Sequence, residues 1–182
     1  MALNFGRWTS GGESVTAEEI LQQIQGRFGN EIRTAEVRRE EACLTIRADR
    51  NYEICRFIKE ELGYDYLNCL SGVDWPADNE MEVVYAISSL KQPGKIMLRV
   101  RLPRDEPVLG SVVPLWGTAN WHEREAFDLF GIRFENHPDL RRILLSEDWI
   151  GHPLQKDYQD ERFVPYPWDD RKPGGVARPT TA

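Results

Sequence analysis

Three residue types in this chain could carry redox, metal or nucleophilic chemistry, and their spacing decides which. Cys43, Cys55 and Cys69 lie 12 and 14 residues apart, and no CxxC occurs. Iron–sulfur clusters usually take four thiolates and structural zinc takes close pairs, so neither is expected. Each cysteine stands in an apolar stretch, which reads as a buried free thiol. His122, His137 and His152 share no HxxxH or HExxH spacing. Together with Glu123 they leave one alternative open, a metal-dependent hydrolase. No GxGxxG or GxxxxGK[ST] segment is present, so nucleotide phosphates have no obvious cradle.

Glu123 is the carboxylate that stands out. Residues 120–131 read Asn-Trp-His-Glu-Arg-Glu-Ala-Phe-Asp-Leu-Phe-Gly, which predicts a helix over about 121–130 stopped by Gly131. At about 100° per residue, Ala126, Phe127, Leu129 and Phe130 share an apolar arc. Arg124, Glu125 and Asp128 fall opposite, with Arg124 and Asp128 as an i,i+4 pair. Glu123 and His122 lie inside the apolar arc. A carboxylate on a buried face must be paired or protonated. It could be the third helical residue of a capping box begun by Asn120. It could instead meet a guanidinium of Arg141 or Arg142, since Gly131 and Pro138 let the chain double back. The ion pair is the expectation taken forward. A general base would need a nucleophile or metal cluster nearby, and none is convincing.

The elements that must position this helix are legible upstream. Thr16 and Glu19 form a capping box that opens a helix to about Phe28. Residues 32–38 and 42–48 read as strands joined at Arg39-Glu40. Asp49 is a candidate N-cap for a helix over about 51–62, with Tyr52, Cys55, Ile58 and Leu62 on its apolar side. Strand patterns follow at 64–74, 81–87 and 95–102, the last alternating Ile96, Leu98, Val100 and Leu102 with charged or polar residues. Several connections are too short for a crossover helix, so the sheet must be largely antiparallel. The predicted class is α+β, a largely antiparallel sheet with helices packed on it, plus an extended C-terminal arm. Residues 103–118 are expected to hold one short helix.

The chain has 182 residues, 41% hydrophobic and 29% charged, enough for one globular domain. Its net charge of −7 argues against a nucleic-acid partner. No apolar run is long enough to span a membrane, and MALNFGRWTSGGES has no apolar leader core, so neither an anchor nor a secretory signal is expected. The expected organisation is a loose lead over 1–14, an α+β domain over 15–136 and an arm over 137–182. Six of the eleven prolines fall in that arm, interleaved with Trp149, Tyr158, Phe163, Tyr166 and Trp168. Proline opposes regular structure, while aromatics ask for burial. The arm is therefore expected to serve a partner, the alternative being that it folds back on its own domain.

The run from His122 to Leu145, with the pattern ERExxDxFGIxFxxHPDLRRIL, and the following GHPLxKDY ending at Tyr158 resemble one family. It is the 30-kilodalton subunit of respiratory complex I, the C-subunit of bacterial NADH:quinone oxidoreductase. Tyr64-Asp65-Tyr66-Leu67 and Ser71-Gly72-Val73-Asp74-Trp75 also match, so the resemblance covers about residues 15–168. It implies a non-catalytic subunit of the peripheral arm of this proton-translocating complex. Such a subunit docks on the 49-kilodalton quinone-site subunit (the D-subunit), on the cytoplasmic side of the membrane. The resemblance further implies no cofactor of this chain's own, with NADH, flavin, iron–sulfur clusters and quinone belonging to partners. A relative of a ferredoxin- or F420-dependent quinone reductase, or of a membrane-bound hydrogenase, is the alternative. The residues expected to serve structure and interface are Glu123, Arg124, Glu125, Asp128, His137, Arg141, Arg142, Trp149, His152, Lys156, Asp157, Tyr158 and Trp168.

Overall fold

Five strands between residues 32 and 103 build one sheet. The computed structural model describes residues 15–160; the expected lead over 1–14 and the expected aromatics Phe163, Tyr166 and Trp168 lie outside the described residues. Strands β1 (Ile32–Arg38), β2 (Glu41–Ile46), β3 (Tyr66–Trp75), β4 (Glu80–Ser88) and β5 (Lys95–Pro103) run in the order β1-β2-β5-β4-β3. Three of its four ladders are antiparallel, and β2 pairs with β5 in parallel. That exception follows from connectivity. Helix α2 (Asn51–Glu60) carries the chain from β2 to the far edge, and two hairpins bring it back to the centre. The α+β expectation therefore holds.

Ile96, Leu98, Val100 and Leu102 are buried, opposite Ala42, Leu44 and Ile46 on β2 and Met81, Val83, Tyr85 and Ile87 on β4. Each large apolar side chain among them contributes about 1.5–3 kcal/mol of burial. Helix α1 (Ala17–Phe28) closes part of this core with Ile20, Leu21 and Ile24. Its capping box is present as expected: Thr16 Oγ1 accepts from Glu19 N at 3.2 Å, and Glu19 accepts from Thr16 N at 2.8 Å.

Several local expectations are corrected. Asp49 does not cap α2, because the Arg47 guanidinium takes both its oxygens at 3.0 and 3.1 Å. The buried face of α2 is Asn51, Ile54, Cys55, Phe57 and Ile58, while Tyr52 is exposed. Cys43 and Cys55 are buried, but Cys69 is exposed, since it lies on the sheet face turned away from the core residue Leu70. No helix forms over 103–118. That stretch holds a three-residue strand, β6 (Val108–Gly110), paired in parallel with β7 (Arg133–Glu135). Helix α3 (Ala119–Phe130) separates the two and packs on β3. Gly72 permits that approach: a Cβ there would stand 2.7 Å from the Phe130 ring.

Candidate functional site

The signature residues form one connected structure, helix α3 and the segment after β7 that returns along it. Helix α3 has three buried charged residues, Glu123, Arg124 and Asp128. Two of them were expected to face solvent. Arg124 and Asp128 are instead buried because the returning chain covers that side of the helix. Glu125 is exposed, as its position on the wheel predicts.

Asp128 is the anchor. Its Oδ2 accepts the backbone N–H groups of Ile143, Leu144 and Leu145 at 3.0, 2.8 and 2.9 Å, and its Oδ1 meets Arg142 Nη1 at 2.6 Å. Burial works to raise its carboxyl. The N–H groups of Leu145, Ile143 and Leu144 and the Arg142 guanidinium together outweigh it and hold the carboxyl below the usual carboxylate range. Arg142 also donates to the carbonyls of Asp128, Trp149 and Gly151 at 3.0–3.2 Å. A planar guanidinium with five fixed donors can bind four acceptors at once, which an ammonium cannot. Arg124 completes the clasp from the helix side. It donates to the carbonyls of Arg141 and Arg142 at 3.1 and 3.0 Å and stacks 5.4 Å over Trp121.

The Gly-His-Pro-Leu-Gln run caps the C-terminus of α3. A helix leaves its last four carbonyls without helical partners. Here His152 Nδ1 donates to Asp128 O at 2.9 Å, Leu154 N to Leu129 O at 3.0 Å, and Gln155 Nε2 to Phe130 O at 2.8 Å. Gly131, at φ +82°, closes the turn by donating to Phe127 O at 2.9 Å, and a Cβ on it would strike the His152 ring. Beyond the cap, Lys156 N donates to Asp74 Oδ2 at 2.7 Å. Asp74, at the end of β3, binds Arg104 through both oxygens, and Arg104 also reaches Asp157 at 2.5 Å. The Arg104 hydrogen bond holds the Asp74 carboxyl low against its burial. Tyr158 donates back to Ile150 O at 2.9 Å.

The expected Glu123–Arg141/Arg142 ion pair does not form. Arg142 is committed to Asp128, and Arg141 is exposed and paired with Asp139 at 2.8 Å. Nor does Asn120 cap the helix, since α3 already includes it. Glu123 is buried against neutral donors: Ser111 Oγ and Val112 N, both at 2.7 Å. Burial pushes its carboxyl up to about 7, against the opposing pull of these two hydrogen bonds. The histidines are held apart. His137 lies at the start of α3, accepting from Asp139 N on Nδ1 and donating from Nε2 to Asn120 O at 3.2 Å, while His152 lies at its end. Among the described residues no group of three His, Cys, Asp or Glu side chains is placed to hold a metal ion, so the hydrolase alternative loses its constellation.

Sequence reasoning missed Asp74, Arg104 and Ser111. Asp74 had a usable signal, because it continues the core-facing register of Leu70 and Gly72. Arg104 and Ser111 stand in loops without periodicity and gave none.

The family described as respiratory-chain NADH dehydrogenase, 30 Kd subunit, matches residues 44–164. The C-subunit of the F(420)H(2) dehydrogenase of Methanosarcina mazei is 42% identical over 79% of this chain and 92% of that protein. The C-subunit of the NADH-quinone oxidoreductase of Geotalea uraniireducens is 41% identical over 83% of this chain and 89% of that protein. A chain of an archaeal membrane-bound sulfane sulfur reductase superposes with a TM-score of 0.69 at 26% identity, over 78% of this chain and 85% of that one. A trypsin-resistant fragment of Nqo5 superposes at 0.59 with 30% identity, over 68% of this chain and 98% of that one. The segment that clasps and caps α3 lies within the matched residues, and the chain belongs to the 30-kilodalton subunit family of the respiratory-chain NADH dehydrogenase.

Proposed function

We propose that this chain is a structural and assembly subunit of the peripheral arm of an NADH:quinone oxidoreductase. It docks on the 49-kilodalton quinone-site subunit through α3 and its returning segment. Family membership makes it a subunit of an oxidoreductase complex. One observation carries the choice of surface. The clasp and cap hold the segment through hydrogen bonds, yet some large apolar side chains of the segment and of α3 stay outside. Ile150 is 83% exposed, Leu144 61% and Trp121 59%. Exposed apolar groups on a rigidly held segment suit a partner surface, since little ordering entropy is lost on docking. In this reading the chain binds no flavin, cluster or quinone of its own. It sits peripherally, on the cytoplasmic side of the membrane; no helix among the described residues is long and apolar enough to cross one.

The test is capture of the quinone-site subunit by the tagged full chain. Ile150→Asp combined with Leu154→Asp should reduce capture at least tenfold, about 1.4 kcal/mol of binding or more. Both side chains are exposed, so stability should change by no more than about 0.5 kcal/mol each. Undiminished capture removes this surface. Flavin absorbance or stoichiometric iron in the isolated chain removes the reading of a cofactor-free subunit. A second reading is favoured by the Methanosarcina mazei relative: the same docking role in an F420H2-oxidising complex. The electron-input subunits that co-purify with the assembled complex distinguish the two.

A further inference from the structure

The docking role leaves Glu123 unused. It is completely enclosed, and the two groups that contact it, the Ser111 hydroxyl and the Val112 N–H, are neutral. No cation pairs with it among the described residues. From α2 the Cys55 thiol faces it, and from β4 the Tyr85 phenol. Burial pushes both up, with the Glu123 charge adding to it, so neither ionises near neutral pH. Asn51 joins these two, donating to Tyr85 Oη at 3.0 Å and accepting from Cys55 Sγ at 3.7 Å. The charged groups on the other elements around α3 are engaged or turned outward. Asp74 on β3 is held by Arg104, and Arg133 and Glu135 on β7 are exposed. On α3 itself, Arg124 and Asp128 serve the returning segment.

Ser111 decides what a proton would do here. Its hydroxyl oxygen accepts from Val113 N at 3.2 Å while its single proton goes to Glu123. A protonated Glu123 has an O–H of its own, and the contacting acceptor is the remaining lone pair of Ser111 Oγ. Taking it forces the serine proton to turn away.

We propose that Glu123 and Ser111 form a proton-operated catch between α3 and the loop over 111–116, in which ionised Glu123 accepts two hydrogen bonds from the loop and protonation reverses the one from Ser111. The only bond made is the O–H on Glu123, with the proton supplied by solvent. Burial of the carboxyl sets the catch to respond near pH 7. The loop carries Val112, Leu115 and Trp116 into the core, and Lys59 of α2 donates to the Leu115 carbonyl. Proton uptake is thus coupled to how the loop is seated between α2 and α3, whichever complex the chain joins.

The test follows the amide resonances of Val112 and Val113 in the isotope-labelled full chain from pH 5.5 to 8.5. Both should move with one midpoint near 7. Glu123→Gln keeps the side-chain volume and presents an amide in the protonated arrangement, so its profile should be flat. Ser111→Ala removes a hydrogen bond to the charged form and should raise the Val112 midpoint by about one pH unit. This second variant decides the matter even if Glu123→Gln does not fold. Identical profiles in wild type and Glu123→Gln, no common transition in this range, or an unmoved midpoint in Ser111→Ala would overturn the proposal.

Discussion

Glu123 and Asp128 are buried carboxylates on the same helix, and their partners give them opposite responses to pH. Asp128 has a guanidinium and three backbone donors. Its carboxyl is held low in the folded chain, so its stabilising effect is present above the ordinary carboxylate range and is lost as pH falls through its depressed value. Asp128→Asn should cost on the order of 3 kcal/mol, because the half-buried Arg142 loses its counter-charge and the backbone donors meet an amide. Thermal or urea unfolding at neutral pH measures this. A loss under about 1 kcal/mol would show that the backbone donors alone hold the segment. Glu123 has the reverse sign. Its folded carboxyl lies near 7 against 4.5 in the unfolded chain. The folded state therefore binds the extra proton, and stability falls as pH rises from about 4.5 to 7. The whole span is on the order of 3 kcal/mol. Glu123→Gln should flatten that part of the stability profile and cost less than Asp128→Asn, since no cation is stranded.

At the scale of elements, the chain trades regularity for contact in two places. The cap of α3 comes from residues more than twenty positions downstream, so helix and segment order together. The β1–β2 hairpin is the second place. Arg39 and Glu40 both adopt positive φ, 50° and 66°, in the two-residue turn. Such turns favour Asn-Gly, because other residues crowd their own Cβ in the left-handed region. Replacing Arg39-Glu40 by Asn-Gly should raise stability by about 1 kcal/mol in urea unfolding without altering the pairing of Arg38 with Glu41. A destabilised variant would mean that these side chains contribute contacts outweighing the strain.

At the scale of the whole molecule, Asp74 joins parts of the chain far apart in sequence. It ties the end of β3 to Arg104 after β5, and both to residues 156–157. Helix α3 and the returning segment are therefore fixed to the sheet at two ends, Phe130 over Gly72 and Lys156 on Asp74. Asp74→Asn should leave the sheet folded but speed proteolytic cleavage within 150–160, because one oxygen of the anchor becomes an amide donor facing another donor. Limited proteolysis with mass analysis of the fragments reads this. Cleavage at the wild-type rate would leave the cap on α3 as the sufficient attachment.

The residues alone determined the helices α1 and α2, all five strands of the main sheet and the span of α3. Most of these have a period in apolar residues long enough to be read, and Thr16, Gly63, Pro76 and Gly131 mark boundaries among them. The family signature was legible for a related reason: residues 122–158 keep fixed spacing because the clasp and cap are made within that stretch. Partner assignment was not legible. A helical wheel placed Arg124 and Asp128 toward solvent, since it takes no account of a chain that returns to cover the polar side. It placed Glu123 correctly on the buried side but could not supply Ser111 and Val112, which reach it from a loop before the helix. Strands of three residues, β6 and β7, have no period at all and exist only because each is the other's partner. Local patterns follow from backbone geometry and burial, which a sequence carries; which donor meets which buried acceptor follows from the path of the chain, and only the tertiary structure decides it.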